Sequence, residues 1–413
     1  MQDIDLIPHL FKTEYRKIVS VLCKLFGIKN IELAEDITND TFLLASESWG
    51  LKGIPDNPVA WLYKVAKNKT LDHLRRDKNF HQKISPEISR NTQIIDESDI
   101  DLSQKNITDS QLQMMFAISS PSIPFESQIG LSLRILCGFG IEEIADAFLT
   151  NKETINKRLF RAKEKLRQDN IEISMPPDSE IEKRLETVLT TLYLLFNEGY
   201  YSASSNKKIR KDLCIEAMRL TFILIENEST NKPAVNALMA LMCFHSSRFD
   251  ARISETGENI LYAEQNRDQW DEELIERGNY FLVISAQGRS LSKYHLEASI
   301  AYWHSLKEEM PNKWDSILQL YNRLLQIDYS PIAALNRTYA LAMADGKPAA
   351  IEEAEKLPLQ GSHLYHTLLG FLYTGIHDQK ALDHYLIALK TSRTASDKKE
   401  IEAHIKKLSD LIL

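Results

Sequence analysis

The chain has 413 residues, enough for two or three domains. Hydrophobic residues make up 43% of it, which supplies real cores and excludes a disordered protein. A formal charge of −8 argues against nucleic acid as a partner of the chain as a whole, so any such role has to rest on a local basic surface.

With only 14 Gly and 13 Pro, and little apolar–polar alternation, the composition predicts an all-α fold. The four cysteines, Cys23, Cys137, Cys214 and Cys243, are far apart and form no C-x-x-C pair. That spacing excludes a disulfide framework or zinc ribbon and fits a reducing cytoplasm. The start, MQDIDLIPHLFK, carries acids and lacks the long apolar core of a signal peptide. No run of 18 apolar residues occurs, so no membrane span is expected.

Residues 1–79 read as a compact helical segment with two patterned helices. In ELAEDITNDTFLLA, Glu32, Glu35, Asp36, Asn39 and Asp40 share one side, while Ala34, Ile37 and Leu44 line the other. An acidic stripe of this kind suits a basic helical partner. In NPVAWLYKVAKNKTLDHLRRD, Val59, Leu62, Ala66, Thr70 and Leu74 form the apolar side. Trp61, Lys64, Asn68, Asp72 and Arg75 face the opposite way, with Arg76 beside them. An aromatic, cations, an amide and a carboxylate are the groups that contact phosphates, base edges and unstacked bases. Trp61 is equally well read as a core residue.

Residues 80–108 are polar, poor in aromatics and aperiodic, and read as a flexible linker. Residues 109–170 read as a helical unit ending in a helix-turn-helix. Ile129, Leu133, Leu136 and Cys137 keep helical spacing until Gly138 and Gly140 break it, and IEEIADAF makes a short helix. Thr150 followed by Glu153 predicts a capping box for the next helix. There Ile155, Leu159, Ala162 and Leu166 form the buried side, and Thr154, Lys157, Arg158, Arg161 and Lys165 the exposed one. A short helix, a brief turn and a basic second helix is the arrangement that places a recognition helix in the major groove.

Met175-Pro176-Pro177-Asp178 marks the next boundary, and residues 179–413 continue as amphipathic helices. Leu369, Gly370, Tyr373, Ala381, Tyr385 and Ala388 approximate a tetratricopeptide pattern, with small residues where paired helices approach closely. A helical-repeat domain offers a broad concave surface that suits a peptide or protein ligand. Arg248, Arg252, Gln265, Arg267, Asn336 and Arg337 are the polar groups expected in such a groove.

The first 170 residues resemble the extracytoplasmic-function sigma factors of bacterial RNA polymerase, in three blocks and in order. Glu32–Ala45 resembles the helix that grips the polymerase clamp, Gly53–Arg76 the loop and helix that open and read the −10 element, and Asp109–Arg167 the domain that reads the −35 element. Beyond them, LYLLFNEGYYSASS, HSSRFDAR, AEQNRDQW, KYHLEASIAYWH and SPIAALNR resemble the large helical extension of one subgroup. The resemblance implies an alternative sigma factor with its own C-terminal control domain. Its partners would be promoter DNA and the clamp and flap of core RNA polymerase. Where the subgroup commonly has Cys-Cys-His-Pro, this chain has Ile118-Ser119-Ser120-Pro121, and Asn266 stands where an acid is usual.

An enzyme is not expected. No phosphate-binding, nucleophile-elbow or H-E-x-x-H motif is present, and no cofactor or metal site is expected. His363 and His366 have metal-ligand spacing but lack a third ligand, and read as core or surface histidines. The alternative is a helix-turn-helix regulator with a tetratricopeptide sensor that never engages the polymerase. Such a protein has no need of Glu32–Arg76.

Overall fold

The computed structural model describes residues 6–84, 101–201, 211–252 and 260–412, apart from 102, 149, 261, 289, 309, 393 and 394. Among the described residues there are eighteen α-helices, a few short 3-10 turns and no strand. The all-α expectation therefore holds. None of the described helices is long and apolar enough to cross a membrane.

The chain divides into two compact units, residues 1–195 and 196–413. In the first, α1 (Leu6–Phe26), α2 (Ile31–Lys52) and α3 (Pro58–Ile84) pack together. Ile18, Leu22, Cys23, Ala34, Leu62 and Ala66 are wholly buried between them. Asn57 caps α3 by accepting the Ala60 N–H at 3.0 Å, and Pro58 is preset for the first helical position. Next come α4 (Gln104–Ile118), α5 (Phe125–Ile135), α6 (Ile141–Ala147) and α7 (Lys152–Gln168). The cap of α7 is Asn151, whose side chain accepts the Thr154 N–H at 2.8 Å, rather than the expected Thr150. Either oxygen can satisfy an orphan N–H, so the sequence signature is one residue ambiguous.

Two independent domains on a flexible linker were expected; instead α4 packs directly on α1. Met114, Met115 and Phe116 of α4 are fully buried, and Lys24 of α1 donates to Asn106 of α4 at 3.1 Å. The turn before α6 also closes on α1. Gly138 sits at φ 68°, and a Cβ there would collide with the Arg16 guanidinium. The expected linker lies partly outside the described residues, and helices claim both its ends, since α3 reaches Ile84 and α4 starts at Gln104. Helix α8 (Asp178–Tyr201) starts where the Pro-Pro joint predicted, but the division between units falls inside it, at 195/196.

The second unit contains α9 (Lys211–Glu226), α10 (Pro233–Ser246), α11 (Glu272–Ser285) and α12 (Lys293–Ser305). It continues with α13 (Lys313–Ile327), α14 (Pro331–Asp345), α15 (Lys347–Glu355), α16 (His363–Tyr373), α17 (Asp378–Thr391) and α18 (Ala395–Ile412). Helix α10 is buried nearly all round, as its sequence PAVNALMALMCFHS requires, with α9, α11 and α12 against it. From α12 onward each helix packs on the next. The six pattern residues expected to bring paired helices together lie in α16 and α17, and all are buried. A Cβ at Gly370 would meet the Tyr385 ring at 2.7 Å, so only glycine lets these two helices approach this closely.

Replacing Gly370 by Val should therefore destabilise the second unit by about 1–3 kcal/mol through overpacking. Gly361→Ala, where an added Cβ meets nothing within 4 Å, should change stability by less than about 0.5 kcal/mol. Urea unfolding midpoints of the two variants check this contrast.

Candidate functional site

Helix α2 presents its acids as the sequence predicted. Ile31, Ala34, Ile37, Thr38, Thr41, Phe42 and Ala45 point inward, which leaves Glu32, Asp36, Asn39 and Asp40 exposed and Glu35 half-buried. Leu44, expected on the apolar side, is 38% exposed beside Leu43 at 58%, so this end of α2 carries an apolar surface next to its acids. Tyr15 of α1 donates to the Glu35 carbonyl at 3.4 Å. Burial first, and then the charge of Glu35, pushes the Tyr15 phenol up to about 12.

On α3, burial of Leu62, Ala66 and Thr70 turns Lys64, Asn68, Asp72, Arg75 and Arg76 to solvent. Arg75 lies 3.9 Å from Asp72, and Lys69 reaches Asp40 of α2 at 3.4 Å. Trp61 is half-buried, edge-on to the buried Trp49 with ring centroids 5.3 Å apart. The tryptophan thus joins the packing between α2 and α3 and offers only part of its ring to a ligand.

Helix α7 buries the four side chains read as its inner face, Ile155, Leu159, Ala162 and Leu166. The five residues of its outer face, Thr154, Lys157, Arg158, Arg161 and Lys165, line one groove of about 610 Å³ with Ile123, Pro124, Glu126 and Ser127. Within it Lys157 pairs with Glu153 at 2.6 Å and Lys165 with Asp169 at 2.8 Å. Arg158 lies over the Phe148 ring at 5.3 Å, and Arg161 makes no ion pair among the described residues. The i,i+4 pairs are exposed and weak, so they hold the cations in place without removing them from a competing phosphate.

The structure adds a contact that joins the two charged faces. Lys163 of α7 stands 3.7 Å from Glu32 and 3.9 Å from Glu35, and Arg167 pairs with Glu32 and also with Glu164 at 2.5 Å. Burial works against the Arg167 charge, but Glu164 and Glu32 outweigh it and hold the guanidinium above its ordinary pKa. The outer side of α7 thus faces solvent while its flank is pinned to α2. Lys163 and Arg167 were visible as cations in the sequence, but nothing in the local pattern marked their partners, more than 120 residues away.

In the second unit the six expected groove residues separate. Arg248, Arg252 and Arg267 belong to one aromatic cluster around α10 and the 3-10 turns at 262–264 and 267–269, and Gln265 beside it donates to the Ile260 carbonyl at 3.3 Å. Asn336 and Arg337 do not join it. Asn336 is exposed on α14, and Arg337 is bound to Asn322 at 2.6 Å and lies 3.5 Å from Glu353. Tyr262, Lys313 and His304 complete the cluster and were missed, since nothing local distinguishes a buried lysine from the surface ones around it. The His363–His366 pair diverges: His366 is buried against the Gln360 carbonyl and His384, while His363 faces Asp397. All four cysteines are free and buried.

Residues 10–80 match the family described as Sigma-70 region 2, and residues 184–286 match a family of unknown function, DUF6596. The chain is similar to Uncharacterized protein R00370 of Rhizobium meliloti (strain 1021). The two are 31% identical over 352 residues, covering 83% of this chain and 82% of the relative. No solved structure matches.

The α2–α7 contact should give a measurable but modest coupling. A double-mutant cycle between Glu32→Gln and Arg167→Gln should return about 0.2–1 kcal/mol, because Glu32 is half-exposed. It should shrink towards zero near 1 M salt, where the screening length falls to about 3 Å. Chemical denaturation at low and high salt provides the measurement.

Proposed function

The chain belongs to the same family as the Rhizobium protein and is an extracytoplasmic-function sigma-like protein with a C-terminal extension; on that premise we propose that it binds core RNA polymerase, directs promoter-specific initiation, and carries its own control domain in residues 196–413. The observation that supports this reading best is the presence, in one unit, of an acidic helix face and two separate exposed basic ones. A helix-turn-helix regulator needs only the face on α7.

In this reading the acids of α2 meet a basic surface on the polymerase clamp. Asp36 and Asn39 are exposed to it and Asp40 shares only a weak, exposed pair with Lys69, while Glu32 and Glu35 are engaged by α7. The arrangement is then a resting one, in which a basic partner competes with Lys163 and Arg167 for the same carboxylates. Each exposed pair is worth only about 0–1 kcal/mol, so a larger basic surface can replace them.

Asn68, Arg75 and Arg76 of α3 read the −10 element, with Lys64 and Asp72 around them. Trp61, held by Trp49, supports that face more than it stacks on a base. Helix α7 reads the −35 element through the groove that carries Arg158 and Arg161. Lys157, Lys165 and Thr154 take backbone phosphates, which position the helix without specifying sequence. The second unit, tethered through α8, stays at high effective concentration near the first, so even weak interactions of a control domain are felt.

Reconstitution with core RNA polymerase tests the proposal. Asp36→Lys combined with Asp40→Lys should weaken core binding at least several-fold in a protein that still folds. Lys163→Glu with Arg167→Glu should strengthen it by releasing Glu32 and Glu35. Unchanged core affinity in both variants would remove the acidic-face argument.

Arg161→Ala should cost about 1–3 kcal/mol of promoter binding if the guanidinium is bidentate to a base, and relax specificity at one position. If it holds a phosphate, all sequences should weaken alike, with the salt slope reduced by about 1. Binding isotherms at several salt concentrations separate the two outcomes.

A further inference from the structure

Five of the chain's 11 histidines lie between residues 363 and 404, and two of these five meet. His366 of α16 is buried, His384 of α17 is half-buried, and their Nδ1 atoms stand 3.0 Å apart. The two rings are stacked at 27°, with centroids 5.3 Å apart. On the other side of its ring, His366 places Nε2 2.9 Å from the Gln360 carbonyl oxygen.

These two contacts fix where the protons sit. A carbonyl oxygen only accepts, so neutral His366 carries its hydrogen on Nε2 and keeps a lone pair on Nδ1. At 3.0 Å that lone pair requires a donor, which His384 supplies only as the Nδ1–H tautomer. The neutral pair thus closes α16 on α17 through one N–H···N bond. A further proton is accommodated on His384 Nε2, at the cost of a half-buried cation. A second one, on His366 Nδ1, would set two N–H groups against each other and break the contact.

The surroundings weigh against even the first of these charges. Tyr373 lies parallel to His384 within 7°, with centroids 5.8 Å apart, and Tyr365 stands edge-on to His366 at 5.2 Å. Glu355 of α15 already accepts the Tyr373 hydroxyl, and the Lys380 ammonium lies 5.0 Å from the Tyr373 ring centre. Asp383, next to His384 on α17, is exposed. Burial, and then His366 with Lys380, hold His384 below its ordinary 6.5 against the pull of Asp383 and Glu355. An open hairpin lets His384 take a proton at its ordinary value, whereas the closed one resists. Closure is therefore fully favoured above about 6.5 and loses ground as the pH falls through that value.

We propose that the α16–α17 hairpin is an acid-released clasp, shut at neutral pH by the His384 N–H donating to His366 and parted when further protons reach this pair. The close Gly370–Tyr385 contact, one helical turn along α16, opens with it. Both histidines and all their neighbours belong to the second unit, so the inference stands apart from the promoter-reading proposal.

The test uses the full chain with nitrogen-15 in its histidine rings. At about pH 7.5, two-bond proton–nitrogen correlation should show an Nδ1–H imidazole that disappears in His384→Asn. Asparagine reproduces the Nδ1–H donor, has a similar helix propensity, and can turn its amide oxygen towards a protonated His366. Hydrogen exchange, corrected for its intrinsic pH dependence, should show the protection of α16 and α17 falling several-fold between about pH 7.5 and 5.5. The ceiling is about tenfold per pH unit for each proton taken up. Helix α14, which contains no histidine, should keep its protection. In His384→Asn the protection of α16 and α17 should change by less than about twofold over the same range. The proposal is overturned if the parent shows no Nδ1–H imidazole, if its protection ignores pH, if α14 loses protection equally, or if the variant responds as the parent does. Should the variant be less protected already at neutral pH, the ring spectra and pH profile of the parent decide alone.

Discussion

A chain that presents an acidic helix face and basic helix faces within one unit carries its own competitor. Opposite charges within one unit find each other unless geometry keeps them apart, and here Lys163 and Arg167 reach Glu32 and Glu35. The first unit accommodates that attraction within its apolar packing. Packing of α4 on α1 brings α7 alongside α2, and Gly138 permits the close passage of Arg16. The groove side of α7 remains turned outward. One helix therefore serves two surfaces, because residues such as Arg161 and Lys163 lie about 200° apart around its axis.

Individually these ion pairs are weak, because their partners are half-exposed. A deeply buried latch would cost several kcal/mol to open, whereas a half-exposed network exchanges partners readily. The packing of α4 on α1 is a different kind of constraint, in a helix whose Met114, Met115 and Phe116 are all fully buried. The first unit thus combines a firm apolar contact with a labile ionic one.

The faces of α3 and α7 were legible in the sequence because each helix buries a single apolar stripe, and a 3.6-residue period records it. Leu62, Ala66, Ile155 and Leu159 fell where the period placed them. Periodicity does not say what a stripe packs against. The α1–α4 contact joins segments more than 80 residues apart, and Glu32–Arg167 spans 135, so neither left a local trace. Leu44 misled because the acids and the buried positions of α2 are not strictly opposed. Among the groove candidates, the arginines of HSSRFDAR and AEQNRDQW converged, while Asn336 stayed exposed and Arg337 answered to its own neighbours on α13 and α15. Lys313, the most deeply buried cation of the cluster, carried no warning at all.

The cysteines carry a consequence of their own. Burial pushes the Cys23 thiol above its ordinary range and the Cys243 thiol up to about 12, and Cys137 and Cys214 are equally enclosed. Oxidants and alkylating agents attack the exposed thiolate, which these positions withhold in both respects. The Ile118-Ser119-Ser120-Pro121 segment adds no sulfur near the α4 terminus, and its two serines are buried. An oxidant or alkylating agent therefore meets no accessible sulfhydryl on the folded molecule, and any thiol chemistry has to wait for local unfolding of the helices around these four side chains.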